Sequence, residues 1–278
     1  MAIVTFWNNN TGKIGQTHSA LAIASYMAIE HNYKILLIST RYKDETSMHA
    51  FGLDKESRSI NLFTNNKKSM EMESGIESMS KLALSNRLVP DVIPNYTKMI
   101  FRQRLEILSG PTGADYDKVY SSCINILSSA KKYYDIVFVD LNNGLNEETT
   151  KEILNISDVV IANVEQKATN LDDITKLIDE KILSKKRTLV LINKYDSESK
   201  YTTKNVARYL GERKEALSVP YNILYTEAIE DGTLAEFFLN PRIRKTENSD
   251  DRNAFFIKEL KRAADAIIYK IQELQLKA

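Results

Sequence analysis

The chain has 278 residues, enough to bury a sizeable core as one large domain or two small ones. Its 38 Lys and Arg balance 37 Asp and Glu to a net charge of +1, which excludes a bulk electrostatic pull toward nucleic acid or membrane and leaves such binding to local patches. One cysteine, Cys123, excludes an internal disulfide framework, and His18, His31 and His49 show no metal-ligand spacing among themselves or with it.

The start carries no basic segment ahead of a long apolar run, and no apolar run approaches ~18 residues, so a soluble cytoplasmic protein is expected. "IVTFW" (3–7) reads as a buried strand, and "SALAIASYMAIE" as a helix with Leu21, Ala24 and Ala28 at three- and four-residue spacing. Between them lies "NNNTGKIGQTH" (8–18). In a phosphate-binding loop, glycines let the backbone curl until successive N–H groups and the N-terminus of the next helix point at the phosphates. A lysine then reaches the β- and γ-phosphates, and a Ser or Thr hydroxyl holds magnesium. Gly12 and Gly15 supply the curl and Thr17 the hydroxyl, but Gln16 stands where the lysine belongs. Read alone, the stretch is equally a glycine-containing turn of any doubly wound fold.

"KILLIS" (34–39) is a second buried strand. Residues 42–103 hold no convincing core strand; "SGIESMSKLALSN" and "PDVIPNYTKMIFRQ" suggest short helices, forming a helical elaboration. "RLEILSG" (104–110) is a third strand, followed by a helix with Val119, Cys123, Ile126, Leu127 and Ala130 on one face. "DIVFVDL" (135–141), "DVVIANV" (158–164), "TLVLINK" (188–194) and "YNILY" (221–225) continue the series, with polar helical patterns between them. Strands that are apolar throughout and alternate with helices imply a mostly parallel sheet covered on both faces. The expectation is one α/β, doubly wound domain of about seven strands over residues 1–241. A flexible connector (242–253) then leads to an amphipathic helix (254–278).

In loop, strand order and spacing, residues 1 to about 240 resemble the ParA/MinD family of P-loop ATPases, whose deviant loop has the form KGGxGK[ST][ST]. "TGKIGQTH" lies on that form without a gap: Gly12, Gly15 and Thr17 agree, while Thr11, Lys13, Gln16 and His18 depart. Thr11 replaces the lysine that crosses a dimer interface to the partner's nucleotide. Lys13, at the second glycine position, returns one positive charge. The resemblance implies an ATP or ADP site formed by Thr11, Gly12, Lys13, Ile14, Gly15, Gln16, Thr17 and His18, with Mg2+ held by Thr17 and Asp140. In "VFVDLNNGLNEE", Asp140 and Gly144 keep the family's spacing, the aspartate orienting magnesium through water and the glycine N–H meeting the γ-phosphate. Asn193 matches the family's residue near the adenine. As plain structure, Asp140 would be a helix N-cap or turn residue and "NKYD" (193–196) a polar loop. All three nonetheless fall at carboxyl ends of parallel strands, where open α/β sheets bind ligands.

The family's D-x-D acids after the second strand are missing: that stretch gives Ser39, Thr40 and Arg41, with Asp44 and Glu45 as substitutes. Replacing the phosphate lysine by glutamine removes an interaction of ~1.5–3 kcal/mol. Weak or absent hydrolysis follows, in a positioning, partitioning or assembly factor that dimerises on nucleotide. Residues 75–113 resemble the CpaE/TadZ branch, whose members localise pilus-assembly machinery. The alternatives are an interaction scaffold with a vestigial site and an active partitioning ATPase. The latter would bind DNA through "SKKR" (184–187), Lys204, Arg208, Arg213 and "RIRK" (242–245), which otherwise form a solvated face. In the last helix Phe256, Leu260, Ala263, Ile267, Ile271 and Leu274 form a stripe suited either to a membrane surface, as in MinD-like proteins, or to packing on the chain's own core.

Overall fold

The computed structural model describes residues 1–10, 12–53, 75–113, 115–145, 148–211, 216–244 and 251–276. Its strands are β1 (Ala2–Trp7), β2 (Ile35–Ser39), β3 (Lys98–Phe101), β4 (Leu105–Leu108), β5 (Ile136–Asp140), β6 (Val159–Val164), β7 (Thr188–Tyr195) and β8 (Leu217–Pro220). They form one sheet in the order β3-β4-β2-β5-β1-β6-β7-β8, parallel except for β3, which runs antiparallel to β4. The helices in chain order are α1 (Gln16–Glu30), α2 (Thr46–Ala50), α3 (Ile76–Leu84), α4 (Tyr116–Ala130), α5 (Glu148–Ile156), α6 (Ala168–Asp179), α7 (Thr203–Tyr209), α8 (Ile223–Asp231), α9 (Leu234–Leu239), α10 (Pro241–Arg244) and α11 (Arg252–Gln275).

Strands buried on both faces need apolar residues at successive positions. In β1, Val4 and Phe6 enter the core beneath α1, α8, α9 and α11, whereas Ile3 and Trp7 enter the one beneath α3 to α7. β2 and β5 divide in the same way, Leu37 and Phe138 to the first core, Leu36 and Val137 to the second. The expected α/β sheet is therefore present, with one strand added and one moved. The addition is β3, inside the stretch read as helical: Pro90–Tyr96 is a 3-10 helix, but Lys98–Phe101 pairs along β4. As an edge strand it has one neighbour and stays half-exposed, so it lacks the continuous apolar signature of its companions. Residues 54–74 of the same stretch lie outside the described residues.

The seventh strand is displaced toward the N-terminus. It is "LSVP" (217–220), and "YNILY" instead opens α8. Asn222 caps that helix by accepting the Tyr225 N–H at 2.9 Å, and Tyr225, Ala228 and Ile229 then face inward at helical spacing. At the other end of the chain, α11 is capped by Asp251 and lies against β8 and α1. Phe256, Leu260, Ala263, Ile267 and Ile271 are buried and Leu274 packs at their border, so the stripe considered for a membrane surface is covered by the core. Among the described residues no helix is long and apolar enough to cross a membrane.

Candidate functional site

Phe6 pairs with Asp140, and Asp140 with Ser39, so the carboxyl ends of β1, β5 and β2 lie level. The chain leaves β1 for β2 on one side and β5 for β6 on the other. The crevice between β1 and β5 is therefore a topological switch point, where sheets of this kind take ligands. Asn8, Arg41 and Asp140 converge there.

The loop after β1 ends in Gly15, the N-cap of α1, with φ 88° and ψ 16°. That left-handed conformation favours glycine, and a Cβ there would also come within 3.3 Å of Lys194 Cε. No side chain caps α1 and no acidic residue occupies its first turn. Its first N–H groups thus have neither an intrahelical acceptor nor a side-chain cap among the described residues, and the positive end of the helix dipole opens onto the crevice. Gly12 is different: a Cβ there would meet nothing within 4 Å. Lys13 is exposed, Ile14 is buried and turns its N–H onto the Gly12 carbonyl, and Thr11 lies outside the described residues. The His18 carbonyl accepts from the Tyr225 hydroxyl at 2.6 Å. Burial first, and then the charge of Lys194, hold the His18 imidazole below its ordinary pKa.

Gln16 points inward and is 2 % exposed. Its Nε2 donates to Asp140 Oδ1 at 2.7 Å and to the Leu141 carbonyl at 2.8 Å, while its Oε1 accepts from Asn8 Nδ2 at 2.7 Å. Asn8 Nδ2 also donates to Asn143 Oδ1 at 2.9 Å. Thr17 Oγ1 donates to Asp140 Oδ2 at 2.6 Å, so both carboxylate oxygens are engaged by the start of α1. Burial, reinforced by Asp44, raises the Asp140 pKa; the Arg41 charge and the bonds from Thr17 and Gln16 oppose the rise without cancelling it.

Arg41 is the residue that the motif reading passed over, having registered it only as a missing acid. From the end of β2 its Nη1 donates to Thr17 Oγ1 at 3.0 Å and its Nη2 to Asn143 Oδ1 at 2.9 Å, and Nη1 lies 3.8 Å from Asp140 Oδ1. Its backbone passes so close to Gly110 that a Cβ there would come within 1.9 Å of the Arg41 carbonyl oxygen. That glycine is the one sequence signal pointing to the position, and it lies in another strand's loop. Asp44 accepts instead from Ser39 Oγ and the Thr46 N–H. Gly144, with φ 79°, gives its N–H to the Asn8 carbonyl at 3.0 Å, and its own carbonyl accepts from Trp7 Nε1 at 3.0 Å. Asn193, at the end of β7, accepts from Ser19 Oγ at 2.7 Å; its Nδ2 is buried without a partner among the described residues. Exchanging the amide's oxygen and nitrogen would only transfer the orphan to the other end. Of the basic candidates elsewhere, Arg187 is bonded to the carbonyls of Asn155 and Ser157, Lys204 and Arg208 lie on the exposed side of α7, and Arg213 and Lys245 fall outside the described residues.

The sequence matches the model of the AAA domain family over residues 1–192. No curated protein matches the chain. Among solved structures it is similar to a ParA family ATPase from Chlorobium tepidum TLS, with TM-score 0.66 and 15% identity over 96% of this chain and 98% of that one. The septum site-determining protein MinD from Pyrococcus horikoshii OT3, complexed with Mg-ADP, gives TM-score 0.63 and 15% identity over 97% and 98%. A protein from Borrelia burgdorferi B31, described as a plasmid partition protein and bound to AMPPNP, gives 0.57 and 17% over 99% and 98%. At these identities the likeness is one of fold.

Proposed function

The chain belongs to the AAA domain family, and from that premise we propose that it is a nucleotide-binding positioning factor of the ParA/MinD type, one that binds ATP or ADP and hydrolyses ATP weakly or not at all. The observation that carries the reading is the uncapped, acid-free first turn of α1 behind the left-handed Gly15, opening at the switch point of the sheet. Two similar folds, the Pyrococcus horikoshii and Borrelia burgdorferi proteins, hold ADP and AMPPNP. The unpaired amide end of Asn193 supports a base-binding role, since a buried amide group without a partner is costly and a ligand would satisfy it.

Weak turnover follows from the chemistry around Asp140. Phosphoryl transfer depends on cations placed around the γ-phosphate and on a group that orients water. Gln16 is neutral and bonded at both ends, and Asp140 is engaged at both oxygens. The stretch after β2 presents Arg41 where the family has an acid. Nucleotide-dependent dimerisation belongs to the same reading and would be seen as a doubling of mass in light scattering on addition of ATP.

A thermal-shift titration with ATP and ADP tests the proposal. A ligand bound only to the folded state stabilises it by about 2.7 kcal/mol at a hundred times its Kd, so the melting temperature should rise with nucleotide while phosphate release stays near background. Turnover comparable to that of a lysine-bearing relative, abolished by Asp140→Asn, would overturn the claim of weak hydrolysis. A flat titration would favour the second reading, an interaction scaffold. The closed set of bonds through Gln16, Gly144 and Asn8 speaks for that reading.

A further inference from the structure

The magnesium expected at Thr17 and Asp140 does not fit the groups found there. Mg2+ demands near-octahedral oxygen coordination at about 2.0–2.1 Å and is held by carboxylates, hydroxyls, water and substrate phosphates. Thr17 Oγ1 already gives its proton to Asp140 Oδ2 and accepts Arg41 Nη1 at 3.0 Å. A dication on that oxygen would stand beside a guanidinium bonded to the same atom, and like charges so close repel. Asp140 Oδ1 is likewise taken by Gln16 and lies 3.8 Å from Arg41 Nη1. Among the described residues no group of three or more His, Cys, Asp or Glu side chains could hold a metal elsewhere.

We propose that the Arg41 guanidinium takes the place of the divalent cation, so that this chain binds a nucleoside di- or triphosphate without Mg2+; the inference rests on the nucleotide reading above. A guanidinium is a planar cation with five N–H donors whose fork matches two phosphate oxygens. Thr17 and Asn143 each accept one of those N–H groups, and the other three have no hydrogen-bond partner among the described residues. The side chain is 23% exposed. Asn143, bonded to Asn8, aims the fork. A cation built in this way is covalently part of the site, which answers the loss of the loop lysine at Gln16.

Calorimetric titration of the full chain with ATP, in EDTA and in Mg2+, tests the inference. The wild type should bind ATP with a Kd that differs by less than about threefold between the two buffers. Arg41→Ala should weaken binding in EDTA by about tenfold or more, with Mg2+ restoring part of the loss. Arg41→Lys, which keeps the charge and loses the fork, should fall between them and remain insensitive to EDTA; it also serves if the alanine variant does not fold. Wild-type binding that needs Mg2+, or an Arg41→Ala affinity unchanged in EDTA, would overturn the replacement and leave the nucleotide reading standing. Absence of ATP binding in both buffers would overturn both.

Discussion

Gln16 offers a carboxamide where one end must accept from Asn8 and the other must donate to Asp140 and the Leu141 carbonyl. A lysine has donors only. Gln16→Lys should therefore not restore a working phosphate loop. It should leave the buried Asn8 amide without one of its two acceptors and destabilise the fold by about 1–3 kcal/mol, measured as a lower urea midpoint at unchanged m-value. Cys123 gives a second expectation at this scale. Burial pushes its thiol up to about 12, so it should react with a thiol reagent only at the rate of global unfolding. The departures at Gln16 and Thr17's agreement were legible because both sit inside a motif with fixed spacing. Arg41 was not, since its meaning depends on where β2 ends relative to β5 and on the direction of a long side chain, neither of which local spacing encodes. Asn8 and Asn143 were unassigned for the same reason: they bond to each other across more than a hundred residues.

At the scale of elements, α11 is part of the core that covers β8 and α1. Leu260 within it is fully buried, and Leu260→Ala should cost about 2–5 kcal/mol of stability. Vesicle co-sedimentation of the full chain should find no lipid binding through this helix, because its apolar stripe faces inward. A tighter contact joins the end of α2 to the end of α8. Gly52 and Gly232 have φ 69° and 72°, and a Cβ on Gly232 would come within 2.9 Å of the His49 carbonyl oxygen. Gly232→Ala should therefore destabilise by more than the ~1 kcal/mol of a left-handed alanine alone, because backbone rather than a flexible side chain stands in the way. The sheet's central strands were readable from their continuous apolar runs. β3 and β8 were not: both are edge strands of four residues, too short for periodicity, and "YNILY" has the composition of a strand with the capping residue of a helix.

For the whole molecule, the raised Asp140 pKa sets a sign in the dependence of stability on pH. The folded chain holds this proton to a higher pH than the unfolded chain does. Between the ordinary aspartate value of 3.8 and the raised one, stability attributable to Asp140 is lost as pH rises, having been fully present below. Comparing urea midpoints of the wild type and Asp140→Asn cancels the other carboxylates. The variant should gain on the wild type as pH climbs through that window, and a difference constant with pH would mean that Asp140 titrates as it does in the unfolded chain. The same connectedness bears on how ligand-driven movement can be seen. Trp7 is the chain's only tryptophan, fully buried at the end of β1, with its indole N–H bonded to the Gly144 carbonyl. The molecule thus carries its own optical probe where the loop after β1 meets the segment after β5. If a ligand pulls Gly144 away, the indole loses its acceptor and the emission changes colour and intensity without any attached dye; if the emission is unmoved, the crevice is rigid and was shaped before the ligand arrived.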